Sequence, residues 1–144
     1  MKKSDKQPFM PPPDYGQSLR GFTINLLTVN IVRSLLFQRD VIAANILHED
    51  LDLLILNGYD NNWMIHADHA YDTHPLLIDT LNSPRRGAGV ELRLHGRDPD
   101  EASTIARQHG FQVLDGSRDQ PDHGLREAHI VDDDGYVWVP DVPL

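Results

Sequence analysis

Histidine and carboxylate side chains are concentrated around the middle of the chain. His66, His69 and His74 stand there with Asp68 and Asp72. Imidazole nitrogens and carboxylate oxygens bind Zn²⁺ and Fe²⁺, so the segment has the side chains of a metal site. Histidines spaced by three and eight residues at a strand end do not share one face, however, as those of a helical HExxH site do. The alternative is a polar strand end whose histidines bond to the backbone, with His66 or His69 in a pocket.

A second polar set lies on one predicted strand, where Glu91, Arg93 and His95 alternate with apolar residues. The period of two places all three side chains on the same face of the strand. A carboxylate in a cavity needs a partner or loses its charge, and Arg93 can be that partner for Glu91. This face either lines a ligand cavity or lies in solvent.

Aromatic side chains are candidates for stacking on a flat ligand, and Trp63 and Trp138 are the largest of them. Packing in the core of a small sheet protein is the alternative for both. Residues 132–135, three aspartates and a glycine, resemble half of a calcium loop but lack its distal glutamate, so we interpret them as a turn.

The composition excludes several classes of function. The chain has 144 residues, and 22 acidic against 13 basic side chains give a formal net charge of −9. This charge would repel nucleic acid, and it either favours a cationic small molecule or serves solubility. No segment approaches the ~18 apolar residues of a membrane span. Because the chain also has no cysteine, we expect a cytoplasmic protein.

Residues 1–17 are predicted to form a flexible arm outside a single domain of residues 18–144. The arm contains Pro8, Pro11, Pro12 and Pro13. It lacks the apolar run that a signal peptide needs after its basic start.

The second half of the chain predicts the order strand, helix, strand, strand, strand. Residues 90–95 alternate as a strand, and a helix then begins after the N-cap Asp98, with Pro99 at its first position, Glu101 completing a capping box, and Gly110 at its end. Further strands are predicted over 111–114, 125–131 and 136–139, and 116–124 is predicted to be a polar loop.

A weaker copy of this order lies in the first half. Residues 21–29 predict a buried strand, 30–42 a helix, and 46–50, 52–56 and 63–67 three strands, with a hairpin turn at Asn57-Gly58. Residues 70–87 link the halves. We therefore predict an α+β fold of two βαβββ modules, residues 21–69 and 88–142. Each module leaves one sheet face uncovered, so the two are expected to form a cup-shaped mixed sheet.

Two segments resemble signatures of the vicinal oxygen chelate superfamily, which contains the glyoxalase I, bleomycin-resistance and extradiol dioxygenase families. Residues 27–41 are similar to its first-module signature, and residues 132–139 to its closing turn and final strand. The resemblance covers residues 21–142 and implies paired modules around a cup, a homodimer, and a ligand inside the cup. It leaves function open, since one scaffold serves binding proteins and enzymes alike.

The resemblance also points to particular metal-ligand positions. Metal-dependent members carry His or Glu on each module's first strand and Glu near the end of its last strand. Here the final Glu position is Val139 and the second-module His position is Glu91. The first-module positions fall on Ile24 or Asn25, and near His66. Two side chains would hold a divalent ion poorly, so we expect the usual metal site to be absent.

We therefore expect a protein of the bleomycin-resistance type that binds a small organic ligand in an acidic cup, without a cofactor. The negative charge favours a cationic ligand. The alternative is an enzyme of the same fold, a metal-dependent lyase or dioxygenase that holds one divalent ion through His66, Glu91 and His69. A cup filled by its own side chains is a third possibility. The partners we expect are a small molecule and a second copy of the chain, and the expected ligand-binding residues are Glu91, Arg93, His66, Trp63 and Trp138.

Overall fold

The computed structural model of the chain describes residues 1–83 and 85–144. These residues form two compact units by their internal contacts. The first unit comprises 1–35 and 44–81, and the second comprises 36–43 and the described part of 82–144. Each unit contains one four-stranded mixed sheet.

In the first unit the sheet has the strand order β1-β4-β3-β2, with β1 parallel to β4 and the other pairs antiparallel. The elements are α1 (Pro12–Ser18), β1 (Ile24–Thr28), α2 (Ile31–Leu36), β2 (Asn45–Glu49), β3 (Leu53–Gly58), β4 (Asn61–Ala67) and α3 (Pro75–Leu81), with a 3-10 turn at Asp68–Tyr71. A π turn, Phe37–Val41, continues α2 into the second unit.

The two faces of the first sheet differ in character. Thr28 lies on the face that packs on α2, where its hydroxyl is 2.7 Å from the Ser34 hydroxyl. Ile24 shares that face because strand residues alternate sides. Asn25 and His66 lie on the opposite face, which we call the first open face, and they are bonded to each other. Asn25, and not Ile24, therefore lies on the face that carries His66.

The second unit repeats the topology, with strand order β5-β8-β7-β6 and β5 parallel to β8. Its core lies between one sheet face and α4, where Ala102 and Ala106 are fully buried. The Phe37 ring meets the Phe111 ring edge-on at 4.9 Å. The elements are β5 (Glu91–His95), α4 (Pro99–Gln108), β6 (Gln112–Gln120), β7 (Leu125–Val131) and β8 (Val137–Pro143).

The N-cap and the terminal glycine predicted for α4 are confirmed, but the capping box is not formed, because the Glu101 carboxylate is bonded to Arg97 and not to the Asp98 backbone N–H. The Asp98 carboxylate accepts hydrogen bonds from the backbone N–H groups of Asp100 and Glu101, as an N-cap does. Gly110 follows the helix with φ +78°, a conformation that glycine adopts readily.

Three local predictions are wrong. The polar loop at 116–124 is strand as far as Gln120, because polar side chains such as Arg118 and Glu127 pair across the β6–β7 ladder. The hairpin turn lies at Tyr59 and Asp60, which both have positive φ, and Asn57-Gly58 belongs to β3. The connection between the halves contains α3, which was not predicted, although Pro75 at its first position and the helical spacing of Leu77, Ile78 and Leu81 are signals of a helix.

The predicted fold class is confirmed, since the structure has α+β character and two similar modules of βαβββ order. The cup, the domain limits and the flexibility of the arm stay predictions. The predicted link at 70–87 includes Pro84, which lies outside the described residues. Among the residues that the structure describes, no helix is long and apolar enough to cross a membrane.

Candidate functional site

The second sheet carries a connected group of polar side chains on the face turned away from α4. Arg93 joins them, because its Nη1 donates to Glu91 Oε2 (3.1 Å) and its Nη2 donates to Asp141 Oδ2 (3.2 Å) and to Glu127. Two histidines extend the group, with ring nitrogens 2.8 Å from Asp141 Oδ1 and 3.0 Å from Glu91 Oε1. We call this set the acidic face, and its members are Glu91, Arg93, His95, Glu127, His129 and Asp141.

Three carboxylates share one guanidinium on the acidic face. The side chains of Glu127 and Asp141 are 5% and 1% exposed, so their charges depend on Arg93 for compensation. Burial opposes ionisation of Glu91, but hydrogen bonds from His129 and Arg93 outweigh it and hold the pKa of Glu91 below its ordinary value. With neutral histidines the face carries excess negative charge.

A cavity of about 640 Å³ adjoins the acidic face at Glu91 and His129. Its walls include the apolar side chains of Val90, Leu114 and Val137, together with Arg85. Such a cavity can take a molecule that combines an apolar body with a charged or hydrogen-bonding end.

The first open face carries a chain of neutral polar groups. His66 Nδ1 lies 2.6 Å from Asn25 Oδ1, and Asn25 Nδ2 donates to the Tyr71 hydroxyl at 2.8 Å. An amide oxygen only accepts, so Nδ1 carries the ring proton and Nε2 keeps its lone pair. Burial lowers the pKa of His66, and the charge of Lys2 lowers it further. His66 is therefore an oriented, neutral hydrogen-bond acceptor.

His69 lies near this chain but is engaged elsewhere. Its Nε2 is 2.7 Å from Asp52 Oδ1, and the same carboxylate accepts from the backbone N–H groups of Lys3 (2.7 Å) and Ser4 (2.9 Å). Asp52 thus fastens the amino-terminal segment to the first unit, and His69 supports that attachment.

No family model and no curated protein matches the sequence. Solved structures do match. A glyoxalase/bleomycin resistance protein/dioxygenase family enzyme from Burkholderia phytofirmans is 17% identical; the match covers 85% of this chain and 97% of that one, with a TM-score of 0.67. A glyoxalase-related enzyme from Fulvimarina pelagi is 14% identical; the match covers 86% of this chain and 88% of that one, with a TM-score of 0.66. A fosfomycin resistance protein from Mesorhizobium loti is 11% identical; the match covers 88% of this chain and 94% of that one, with a TM-score of 0.62.

The chain has the glyoxalase/bleomycin resistance fold. The resemblance inferred from residues 27–41 and 132–139 is confirmed at the level of the fold. At identities below a fifth the likeness does not extend to chemistry, so function has to be argued from the residues themselves.

The metal site implied for this fold does not fit the side chains present. Val139, at the position of the final Glu, is apolar and fully buried. His69 is bonded to Asp52, while Glu91 is bonded within the acidic face. Within residues 1–83 and 85–144, no group of three or more His, Asp or Glu side chains is arranged to hold a metal ion. The alternative set of His66, Glu91 and His69 therefore finds no support as a metal centre.

The two tryptophans lie in the parts of the sheets that are packed against other elements. Trp63 and Trp138 are 6% and 3% exposed. Trp138 Nε1 donates to Asp132 Oδ2 at 2.9 Å, and its ring lies 6.1 Å from that of Phe37. So little of either side chain is accessible that we leave both out of the proposed sites.

Sequence reasoning found Glu91 and Arg93 but missed the carboxylates that complete their face. The alternation in β7 places Glu127 and His129 on one side, and this signal was available in the sequence. Asp141 gave no such signal, because it stands between prolines beyond the predicted end of the last strand.

Proposed function

We propose that the chain binds a small cationic organic molecule at the acidic face, without a catalytic metal. The observation that carries the proposal is the sharing of the Arg93 guanidinium by Glu91, Glu127 and Asp141. Because two of these carboxylates are buried, their field is less screened than that of surface charges and favours a cation nearby.

Glu91 is the residue that we expect to contact the ligand. Its side chain is 49% exposed, and it borders both Arg93 and the adjoining cavity. An ammonium group beside Glu91 and His129 would leave the rest of the molecule against Val90 and Leu114, which are themselves half exposed. Burial of that apolar surface adds to the affinity.

The role proposed is sequestration, as the name "bleomycin resistance" of the matched fold suggests. We further propose that the chain acts in the cytoplasm as a homodimer. The lack of cysteine supports the compartment, and the superfamily resemblance supports the dimer.

The test compares three indole compounds by isothermal titration calorimetry: tryptamine, which is cationic, tryptophol, which is neutral, and indole-3-acetate, which is anionic. We expect tryptamine to bind best, with an affinity that falls as NaCl rises from about 20 to about 300 mM. Glu91→Gln should weaken tryptamine binding about 3- to 10-fold, since it removes the exposed charge of the face.

The matched control is Asp122→Asn, which removes one charge from an exposed position in the turn between β6 and β7. Its affinity for tryptamine should stay within about twofold of the unchanged protein. Equal binding of the three compounds, or equal losses in the two variants, would refute the proposal.

A further inference from the structure

The geometry points to a second ligand site, in the first unit, which takes a small organic acid that also carries a hydroxyl group. The proposed contacts are the Lys2 ammonium for the carboxylate and His66 Nε2 for the hydroxyl. The inference rests on residues of the first unit alone and does not depend on the function proposed for the acidic face.

The first unit contains a cavity of about 320 Å³, within the size range of small-molecule sites. The amino-terminal segment forms one side of it through Lys2, Ser4 and Lys6. The other side comes from the sheet and the turn after it, including His66 and Tyr71.

His66, which lines this cavity, presents a hydrogen-bond acceptor without a partner among the described residues. Its Nδ1 is held by Asn25, and its Nε2 has no hydrogen-bond partner among the described residues. Since His66 is partly buried and its ring is fixed by Asn25 and Tyr71, a ligand hydroxyl would gain a bond to a pre-oriented acceptor.

Two carboxylates, Asp50 and Asp52, also line the cavity. Asp50 Oδ1 accepts from the backbone N–H groups of residues 52 and 53, and its Oδ2 lies 2.8 Å from His48 Nε2. Asp52 is held in the same way by Lys3, Ser4 and His69. Both carboxylates are therefore occupied by protein donors, and the two negative charges that they keep are balanced at the cavity by the ammonium groups of Lys2 and Lys6.

Lys2 differs from these groups, since its ammonium has no hydrogen-bond partner within residues 1–83 and 85–144. It lines the cavity and acts electrostatically on His66. A ligand carboxylate would supply the missing partner, and Pro8, Leu53 and Ala70 offer apolar contact to the body of the ligand.

The test uses 3- and 4-hydroxybenzoate as probes and follows the His66 ring nitrogens by NMR on ¹⁵N-labelled full-length protein. Without a probe, His66 should show the tautomer protonated at Nδ1. A hydroxybenzoate should shift the Nε2 signal in a saturable manner, whereas benzoate and phenol, which each lack one of the two groups, should bind at least about fivefold more weakly.

Neighbouring lysines provide a matched pair of variants. Lys2→Met should weaken binding of the better hydroxybenzoate about 5- to 10-fold, because it removes the partner of the carboxylate. Lys3→Met should change binding less than about twofold, since Lys3 contributes its backbone N–H to Asp52 and does not line the cavity.

Three results would overturn this inference: no shift of the Nε2 signal at about 10 mM of either probe, equal shifts with benzoate or phenol, or equal losses in the two lysine variants. Glu91→Gln should leave hydroxybenzoate binding unchanged, and Lys2→Met should leave tryptamine binding unchanged. The failure of one site is therefore distinguishable from the failure of the other.

Discussion

The first open face and the acidic face belong to sheets of the same topology, but their chemistry is opposite. On the first, Asn25 joins His66 and Tyr71 in a chain of neutral hydrogen bonds. On the second, Arg93 joins buried carboxylates in an ion network. The strand order is the same in both units, so the scaffold determines where these side chains stand while their identity determines what they can bind.

Individual carboxylates show the same contrast. Burial opposes ionisation of Asp52, but backbone N–H groups of Lys3 and Ser4 outweigh it, and its pKa is lowered. For Asp132 in the second unit burial prevails and raises the pKa to about 6, despite hydrogen bonds from Trp138 and backbone N–H groups. Asp132 thus carries an electrostatic cost of burial that Asp52 in the first unit avoids.

The largest effect that tests this contrast is expected from Arg93→Met. The variant leaves Glu127 and Asp141 buried without their cation, which should lower the free energy of unfolding by about 3–5 kcal/mol. His66→Gln, on the neutral face, should cost only about 1 kcal/mol. Urea unfolding at neutral pH measures both.

Arg118→Met is the control for the loss of an arginine, because Arg118 pairs with Asp115 at an exposed position. Its cost should stay below about 1 kcal/mol. If Arg93→Met cost no more than Arg118→Met, the acidic face would not be a buried ion network.

A smaller effect is expected from pH. The folded-state pKa of Asp132, about 6, lies above the ordinary value of 3.8, so its favourable contribution is present below pH 4 and lost as the pH rises through 6. The stability of Asp132→Asn relative to the unchanged protein should therefore increase over this range, by about 3 kcal/mol at most. Unfolding curves at a series of pH values give the difference.

The stability of Asp52→Asn relative to the unchanged protein should instead decrease as the pH rises. The reason is that a lowered pKa means that the carboxylate stabilises the fold above pH 4 and ceases to do so as the pH falls. Slopes of the same sign in the two variants would contradict the contrast between the two units.

The smallest effect is expected from removing metal. Since no three His, Asp or Glu side chains of the described residues are arranged to hold a metal ion, dialysis against EDTA should shift the melting temperature by less than about 1 °C. Elemental mass spectrometry of protein purified without chelator should find well below one metal per chain. Stoichiometric Fe, Mn, Ni or Zn would overturn the metal-free proposal and indicate His66 and Glu91 as candidate metal ligands.

Much of the fold could be predicted because its signals are local. The Asp98 cap, the alternation along β5 and the span of β7 each depend on a few neighbouring residues, and all three are confirmed. Turn positions were less predictable, since Asn57-Gly58 fits a hairpin turn but the ladder between β3 and β4 places the turn at the next two residues.

By itself the sequence determined the βαβββ order, the shared face of Glu91 and Arg93, and the apolar residue at 139, because period and residue type are properties of the chain. Only the tertiary structure decided that Asp141 and Glu127 meet Arg93, and that Lys2 and His66 line one cavity. These groups are 34 to 64 residues apart in the chain, and no local pattern reports a contact that strand pairing and packing create.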